Sequence, residues 1–154
     1  MERIHKIPRS VLVIIHTTDL QILLLERLGR PGYWQSVTGS QHEGEPLEAT
    51  ARREVREETG LDTGQVTLRD WRLCNEYKIF SEWRWRYAPG VTRNTEHVFS
   101  LEVPRVTPVT LSPQEHSAYR WADVSQAAPL CFSWSNRDAL TLLPRILRLP
   151  LRIH

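Results

Sequence analysis

Apolar positions along the chain fall into short runs in some places and a helical period in others. Residues 11–15 (VLVII) and 22–25 (ILLL) are apolar runs separated by a polar His-Thr-Thr-Asp, which predicts a hairpin or two neighbouring strands. Residues 27–32 end in Arg-Pro-Gly and predict a loop. Residues 33–38 predict a short strand feeding Gly39. The stretch 47–59 has no internal Gly or Pro and is rich in Glu, Arg, Ala and Leu, which predicts a helix. Pro46 suits its first turn, and Gly60 suits a left-handed end. Downstream, 66–80 predicts a strand region, 81–94 a long loop or hairpin end, 97–103 a strand and 104–113, with three prolines, an irregular segment. A short strand at 118–122 and a second helix at 134–149, bent at Pro144, complete the set. Strands divided by two main helices predict an α/β (α+β) fold, a mixed β-sheet sandwiched between α-helices.

The wheel of the first helix places its charges unusually. At about 100° per residue, Leu47, Ala51 and Val55 form the apolar stripe. Glu54 and Glu58 fall beside that stripe, whereas Arg52 and Arg56 take the outer side. Glu54, Glu57 and Glu58 stand at i, i+3 and i+4 and gather on one side. Half-buried carboxylates repel each other and lose hydration, so they call for a partner. A hard divalent cation with oxygen ligands, Mg²⁺ or Mn²⁺, answers that need. The alternative is a solvated helix face laced with Arg–Glu ion pairs.

At 154 residues, with 40% hydrophobic and 25% charged residues, the chain predicts one domain spanning 1–154. Net charge is +2, yet residues 39–61 hold six acids and three arginines, so the rest of the chain carries +5. An acidic centre in a mildly basic shell suits a polyanionic small molecule, and no extended basic face points to nucleic acid. Cys74 and Cys131 lack metal-ligand spacing and predict free thiols. No apolar run approaches the roughly 20 residues of a membrane span. No signal-peptide core opens the chain, so cytoplasm is the expected compartment.

Residues 39–61 also fit a fixed pattern. Gly39, then Glu45 after five free residues, then Arg53-Glu54-Val55-x-Glu57-Glu58-x-Gly60-Leu61 after seven more, make nine defined positions. By this box the chain resembles the Nudix hydrolases, which cleave a diphosphate linked to another moiety. WQSVTGS (34–40), RYAPGVTRNTEH (86–97), EHSAYRWAD (115–123) and SWSNRDAL (133–140) further resemble the bacterial dihydroneopterin triphosphate pyrophosphohydrolases. That family removes pyrophosphate from dihydroneopterin triphosphate, an early step of folate synthesis.

The resemblance implies roles residue by residue. Glu54 and Glu58 would be the central metal ligands, Glu57 a further ligand or electrostatic partner, and Glu115 a carboxylate supplied from a separate loop. Arg53 would orient the glutamates by an ion pair. Lys6, Arg27, Thr38, Tyr77, Lys78, Ile79, Phe80 and Ser133 match substrate-contacting positions. Blander readings stand beside these. Lys6 and Arg27 suit solvated cations, Thr38 a turn, Glu115 the first turn of a helix and Ser133 a helix cap. Trp83, Trp85 and Tyr87 suit either stacking on a pterin or packing of their own loop. His42, His97 and His116 read first as structural and only by proximity as acid–base groups. Rival functions are a general nucleoside triphosphate pyrophosphohydrolase, a non-catalytic ligand-binding Nudix domain that would have lost box glutamates, and an RNA-end hydrolase. Oligomeric state, and whether 81–94 closes over substrate, are left open by the residues.

Overall fold

The two apolar runs become strands buried on both faces. In the computed structural model, which describes residues 4–64 and 66–151, they are β1 (Arg9–Thr17) and β2 (Gln21–Arg27). Val11 to Ile15 and Ile22 to Leu25 are all at most 1% exposed. Continuous apolar runs, rather than alternation, fit strands covered on each side. The expected single domain includes residues 1–3, 65 and 152–154, which lie outside the described residues.

Five further strands complete one sheet. They are β3 (Trp34–Gln35), β4 (Val37–Ser40), β5 (Leu68–Lys78), β6 (Arg93–Val103) and β7 (His116–Asp123). The main path runs β3-β2-β1-β6-β5, with β4 on β1 and β7 on β2. β1 and β6 are parallel from Arg9↔Thr95 to Thr17↔Val103, whereas β5–β6, β1–β4 and β2–β7 are antiparallel. The sheet is therefore mixed, as the sequence predicts.

Alternation along the strands feeds two cores. Leu12, Ile14, Ile22, Leu24 and Val98 meet Ala127, Ala139, Leu140 and Leu143 of α2 (Val124–Leu130) and α3 (Trp134–Ile146). Val11, Val13, Leu23, Leu25 and Phe99 meet Ala51 and Val55 of α1 (Leu47–Thr59). Ala51 and Val55 are fully buried, and Val55 alone contributes on the order of 2 kcal/mol by leaving water.

Several expectations shift. Pro46 is the N-cap of α1, with φ −62° and ψ 144°, one place before the first turn. Its extended ψ starts the helix at Leu47, and its carbonyl accepts from the Thr50 N–H at 3.0 Å. Gly60 ends α1 at φ 72°, left-handed as expected. The 33–38 strand is split at Ser36, whose N–H bonds Asn136 Oδ1 at 2.8 Å instead of a neighbouring strand. The segment 81–94 does close the β5–β6 hairpin, but Ser81–Arg86 coils as a 3-10 helix. β6 then begins at Arg93, four residues early. The helix α2 was not anticipated, because it is short and carries Pro129 near its end. Its one local signal is Asp123, which accepts from the Ser125 N–H. The second main helix stops at Ile146, with Pro144 in its last turn.

Candidate active site

Arg53 organises the box. It sits midway along α1 and is 15% exposed at the side chain. Its Nε and Nη2 donate to the two oxygens of Glu45 at 2.8 and 2.9 Å, Nη1 donates to Glu54 Oε1 at 2.8 Å and to Glu57 at 3.3 Å, and Nη2 also reaches the Ser40 carbonyl at 3.0 Å. One guanidinium thus ties the loop after β4 to two helix glutamates. Glu45 answers with bonds from Thr50 Oγ1 at 2.7 Å and the His42 N–H at 3.1 Å. The bonds from Arg53 hold the Glu45 carboxyl down at about 2.

Gly39 makes room for Glu54. A Cβ added to Gly39 would lie 1.9 Å from Glu54 Cδ, so only glycine lets the carboxylate pass under β4. Burial pushes the Glu54 carboxyl up to about 7, against the pull of Arg53. Glu58, one turn on and 4% exposed, is pushed well above the usual range by burial and by Glu54 and Glu115. The backbone N–H of Thr38 opposes that rise by bonding the charged form.

Glu115 arrives from the other side of the sheet edge. Ser112 accepts from the N–H groups of Glu115 and His116, making a turn into β7 rather than a helix. The Glu115 carbonyl accepts from the Leu28 N–H at 2.9 Å. Ligand atoms of Glu58, Glu115 and His116 lie within 4.8 Å of one another. Glu58 Oε2 and His116 Nδ1 are buried with no partner among the described residues. Two carboxylates and an imidazole so close together, with these atoms unpartnered, fit a divalent cation. Glu54 adjoins this set and interacts electrostatically with Glu115, whereas Glu57 is 55% exposed at the side chain and turns to Arg53. His116, read first as structural, is thus part of the cluster. His42 lies at the rim of the same cleft, and His97 does not line it.

The cleft itself, about 1210 Å³, takes in Glu54, Glu57, Glu58 and Glu115 and every expected substrate-contacting residue. Lys6 is set by its backbone, whose N–H bonds the Arg86 carbonyl at 2.8 Å. Arg27 stands where the β2–β7 register shifts, its guanidinium 4.6 Å from the Trp83 ring centroid. Desolvation first, and then repulsion from Arg86, lower the pKa of both Lys6 and Arg27. The two cations share the cleft with the carboxylates, Glu54 and Glu115 acting on Lys6 and Glu58 and Glu115 on Arg27 in the opposite sense. Tyr77, Lys78, Ile79 and Phe80 form the end of β5 and the turn after it. Ser133 caps α3, accepting from the Asn136 N–H at 3.2 Å, and still lines the cleft.

Aromatic rings close one side. Phe80 and Trp83 pack at 5.0 Å, and Phe132 stacks on Tyr33 at 4.9 Å. Phe80, Trp83, Phe132 and Tyr87 line the cleft; Trp85 does not and is 58% exposed. Sequence reasoning missed Phe132, Arg86, Gln35 and Glu45 as site residues. Glu45 had a signal as a defined position of the box, and Gln35 and Arg86 lie in the resembling segments 34–40 and 86–97, whereas Phe132 had none. Cys74 is exposed and Cys131 buried, both free thiols as expected. No helix among the described residues is long and apolar enough to cross a membrane.

A family profile, the NUDIX domain, matches residues 6–143. The chain belongs to the Nudix domain family. It is 46% identical over 142 residues to the dihydroneopterin triphosphate diphosphatase of Escherichia coli K12, covering 90% of this chain and 93% of the relative. It is 37% identical over 139 residues to the enzyme of that name from Haemophilus influenzae, covering 88% and 87%. Among solved structures it is similar to the E. coli dihydroneopterin triphosphate pyrophosphohydrolase, with TM-score 0.83 and 47% identity over 89% of this chain and 94% of that one. Mixed sheet, flanking helices and box geometry are those of a Nudix fold.

Proposed function

We propose that this Nudix domain hydrolyses dihydroneopterin triphosphate to dihydroneopterin monophosphate and pyrophosphate, a step of folate synthesis, with Mg²⁺ as its cofactor and Mn²⁺ as a substitute. The observation that carries the reading is one cleft that holds an acid cluster, two cations and a wall of aromatic rings. Nearly full-length similarity to diphosphatases of that name supports the choice of substrate.

Glu54, Glu58 and Glu115, with His116, would hold the cation, and Glu57 reinforces their negative field. A divalent cation there supplies Lewis-acid chemistry, making a water nucleophilic and offsetting charge on the leaving pyrophosphate. Arg53 keeps Glu54 in place without touching substrate. Lys6 and Arg27 bind phosphate oxygens by charge-assisted hydrogen bonds. Thr38 and Ser133 offer further hydroxyls, and Phe80, Trp83 and Phe132 offer faces for a bicyclic ring. Water attacks the phosphorus in line, the bond between α and β phosphates breaks, and a carboxylate of the cluster takes the water's proton. All box glutamates are in place, which speaks for a catalyst rather than a binding module.

The test is Mg²⁺-dependent pyrophosphate release from dihydroneopterin triphosphate against a panel of nucleoside triphosphates. The expected result is a kcat/KM for the pterin at least tenfold above every nucleotide. Equal or better nucleotide turnover would replace this substrate with nucleotides and keep the chemistry.

A further inference from the structure

On β6, a strand that carries none of the acid cluster, two acceptor atoms are buried and bond to nothing among the described residues. They are Glu96 Oε1 and Asn94 Oδ1, on side chains 4% and 1% exposed. Positions 94 and 96 share the face of β6 that Val98 continues into the core under α3. Both side chains line the cleft.

Their other atoms are held. Asn94 Nδ2 donates to Ser10 Oγ at 2.7 Å and to Tyr77 Oη at 3.0 Å. Ser135, 2% exposed at the start of α3, bonds the Glu96 carboxylate. The two acceptors are thus fixed in direction, not hanging in solvent. A buried acceptor without a partner is rare and asks for an explanation. Burial raises the Glu96 carboxyl to about 7, so a donor supplied by a ligand would restore its charged form.

The chemistry that fits two neighbouring acceptors is two neighbouring donors on a flat ring. We propose that Glu96, with Asn94 beside it, reads the donor edge of the substrate's 2-amino-4-oxopyrimidine ring. The exocyclic amine and the adjacent ring N–H donate to Glu96 Oε1 and Asn94 Oδ1, while Phe80, Trp83 and Phe132 supply the ring's stacking wall. The inference rests on the pterin reading above and adds to it the residues that read this donor edge, which guanine shares, so preference over a guanine nucleotide falls to the stacking wall and the shape of the cleft. An adenine edge offers one donor beside one acceptor and would leave one of the two protein acceptors unpaired.

The test uses the full chain with Mg²⁺ and titrates neopterin and its 2-oxo counterpart, which lacks the amine, by their own fluorescence. Wild type is expected to prefer neopterin about 10²-fold. Glu96→Gln is expected to bring the two ligands within about threefold while its melting temperature does not fall. With dihydroneopterin triphosphate, the same variant should raise KM about tenfold or more and change kcat less than threefold. A purely structural role for Glu96 would weaken both ligands alike and so overturn the proposal. Equal affinity of wild type for the two ligands overturns it without any variant. If the triphosphate is turned over yet Glu96→Gln keeps the full preference, this inference alone fails. If wild type neither binds neopterin nor hydrolyses its triphosphate, the substrate reading fails first.

Discussion

Replacing Gly39 with alanine adds one methyl group and no charge. The backbone there is not in the left-handed region, so the added atom meets contacts rather than backbone strain. Those contacts are with Glu54: 1.9 Å to Cδ, 2.2 Å to Oε1 and 2.3 Å to Cγ. Ordinary packing begins at 3.4 Å, so the carboxyl carbon must retreat by about 1.5 Å. Glu54 ends a flexible side chain and can swing away, losing its 2.8 Å bond to Arg53 while Arg53 keeps Glu45 and the Ser40 carbonyl. Stability should therefore fall by only about 1 kcal/mol, the net worth of one such bond. Activity should fall far more. A displacement of about 1 Å in a catalytic group costs roughly 10²-fold, or about 2.7 kcal/mol of barrier. Thermal melting and Mg²⁺-dependent pyrophosphate release separate the two effects. Adding Glu54→Gln to Gly39→Ala should cost little more than either alone, because both disable one group. Turnover of Gly39→Ala within threefold of wild type would refute the reasoning that Glu54 acts from its present place.

Other consequences follow from the same cleft. Glu58→Gln should lower turnover about 10³-fold, since it removes a carboxylate from the centre of the cluster; near-normal turnover with undiminished Mg²⁺ dependence would count against that assignment. Arg53→Ala strips a half-buried network of its only cation and should cost about 3 kcal/mol, read as a lower urea midpoint together with lost activity. The Glu96 carboxyl is raised from 4.5 to about 7, so its neutral form stabilises the folded state fully below pH 4.5, and that contribution is lost as pH rises through 7. Glu96→Gln should flatten this decline by up to about 3 kcal/mol in denaturation of the metal-free protein, and an unchanged slope would contradict it. Tryptic cleavage at Arg84 and Arg86 should slow when Mg²⁺ and a non-hydrolysable substrate analogue are present; equal cleavage would argue against closure of 81–94.

What could be read from the residues was whatever is local in the chain. The wheel of α1 placed Glu54 and Glu58 beside Leu47 and Ala51, and the folded helix buries Glu58 to 4% exposure. The apolar runs at 11–15 and 22–25 gave the central strands, because continuous apolarity leaves little choice but burial on both faces. Phe132 and His116 adjoin the expected site residues Ser133 and Glu115, yet no local pattern tells that their own side chains also enter the cleft. Phe132 reaches it because its N–H bonds the Trp34 carbonyl at 3.2 Å, and His116 because β7 pairs with β2 opposite Arg27. The 3-10 helix at Ser81–Arg86 was hidden by a composition of Arg and Trp that has no clear period.

The same limit explains why the box speaks of chemistry and the rest of the chain speaks of substrate. The loop and helix of residues 39–61 are self-contained: Arg53 closes a ring through Glu45, Glu54 and the Ser40 carbonyl within fourteen residues of itself. Any substrate with a diphosphate can use such a unit. The ring-facing wall has no such autonomy. Tyr77, Asn94 and Ser10 meet by hydrogen bonds across three strands, and Ser135 reaches Glu96 only after α3 has docked. Ring selection therefore depends on tertiary packing, and changes beneath α3 should alter KM for the pterin before they alter metal-dependent chemistry. Leu140→Ala, which removes a fully buried contact of α3 with the sheet, offers that comparison. Its cost to stability is about 2–5 kcal/mol. In the surviving folded fraction, KM should rise while kcat per active site holds. A drop in kcat with unchanged KM would mean that the two walls are not built independently.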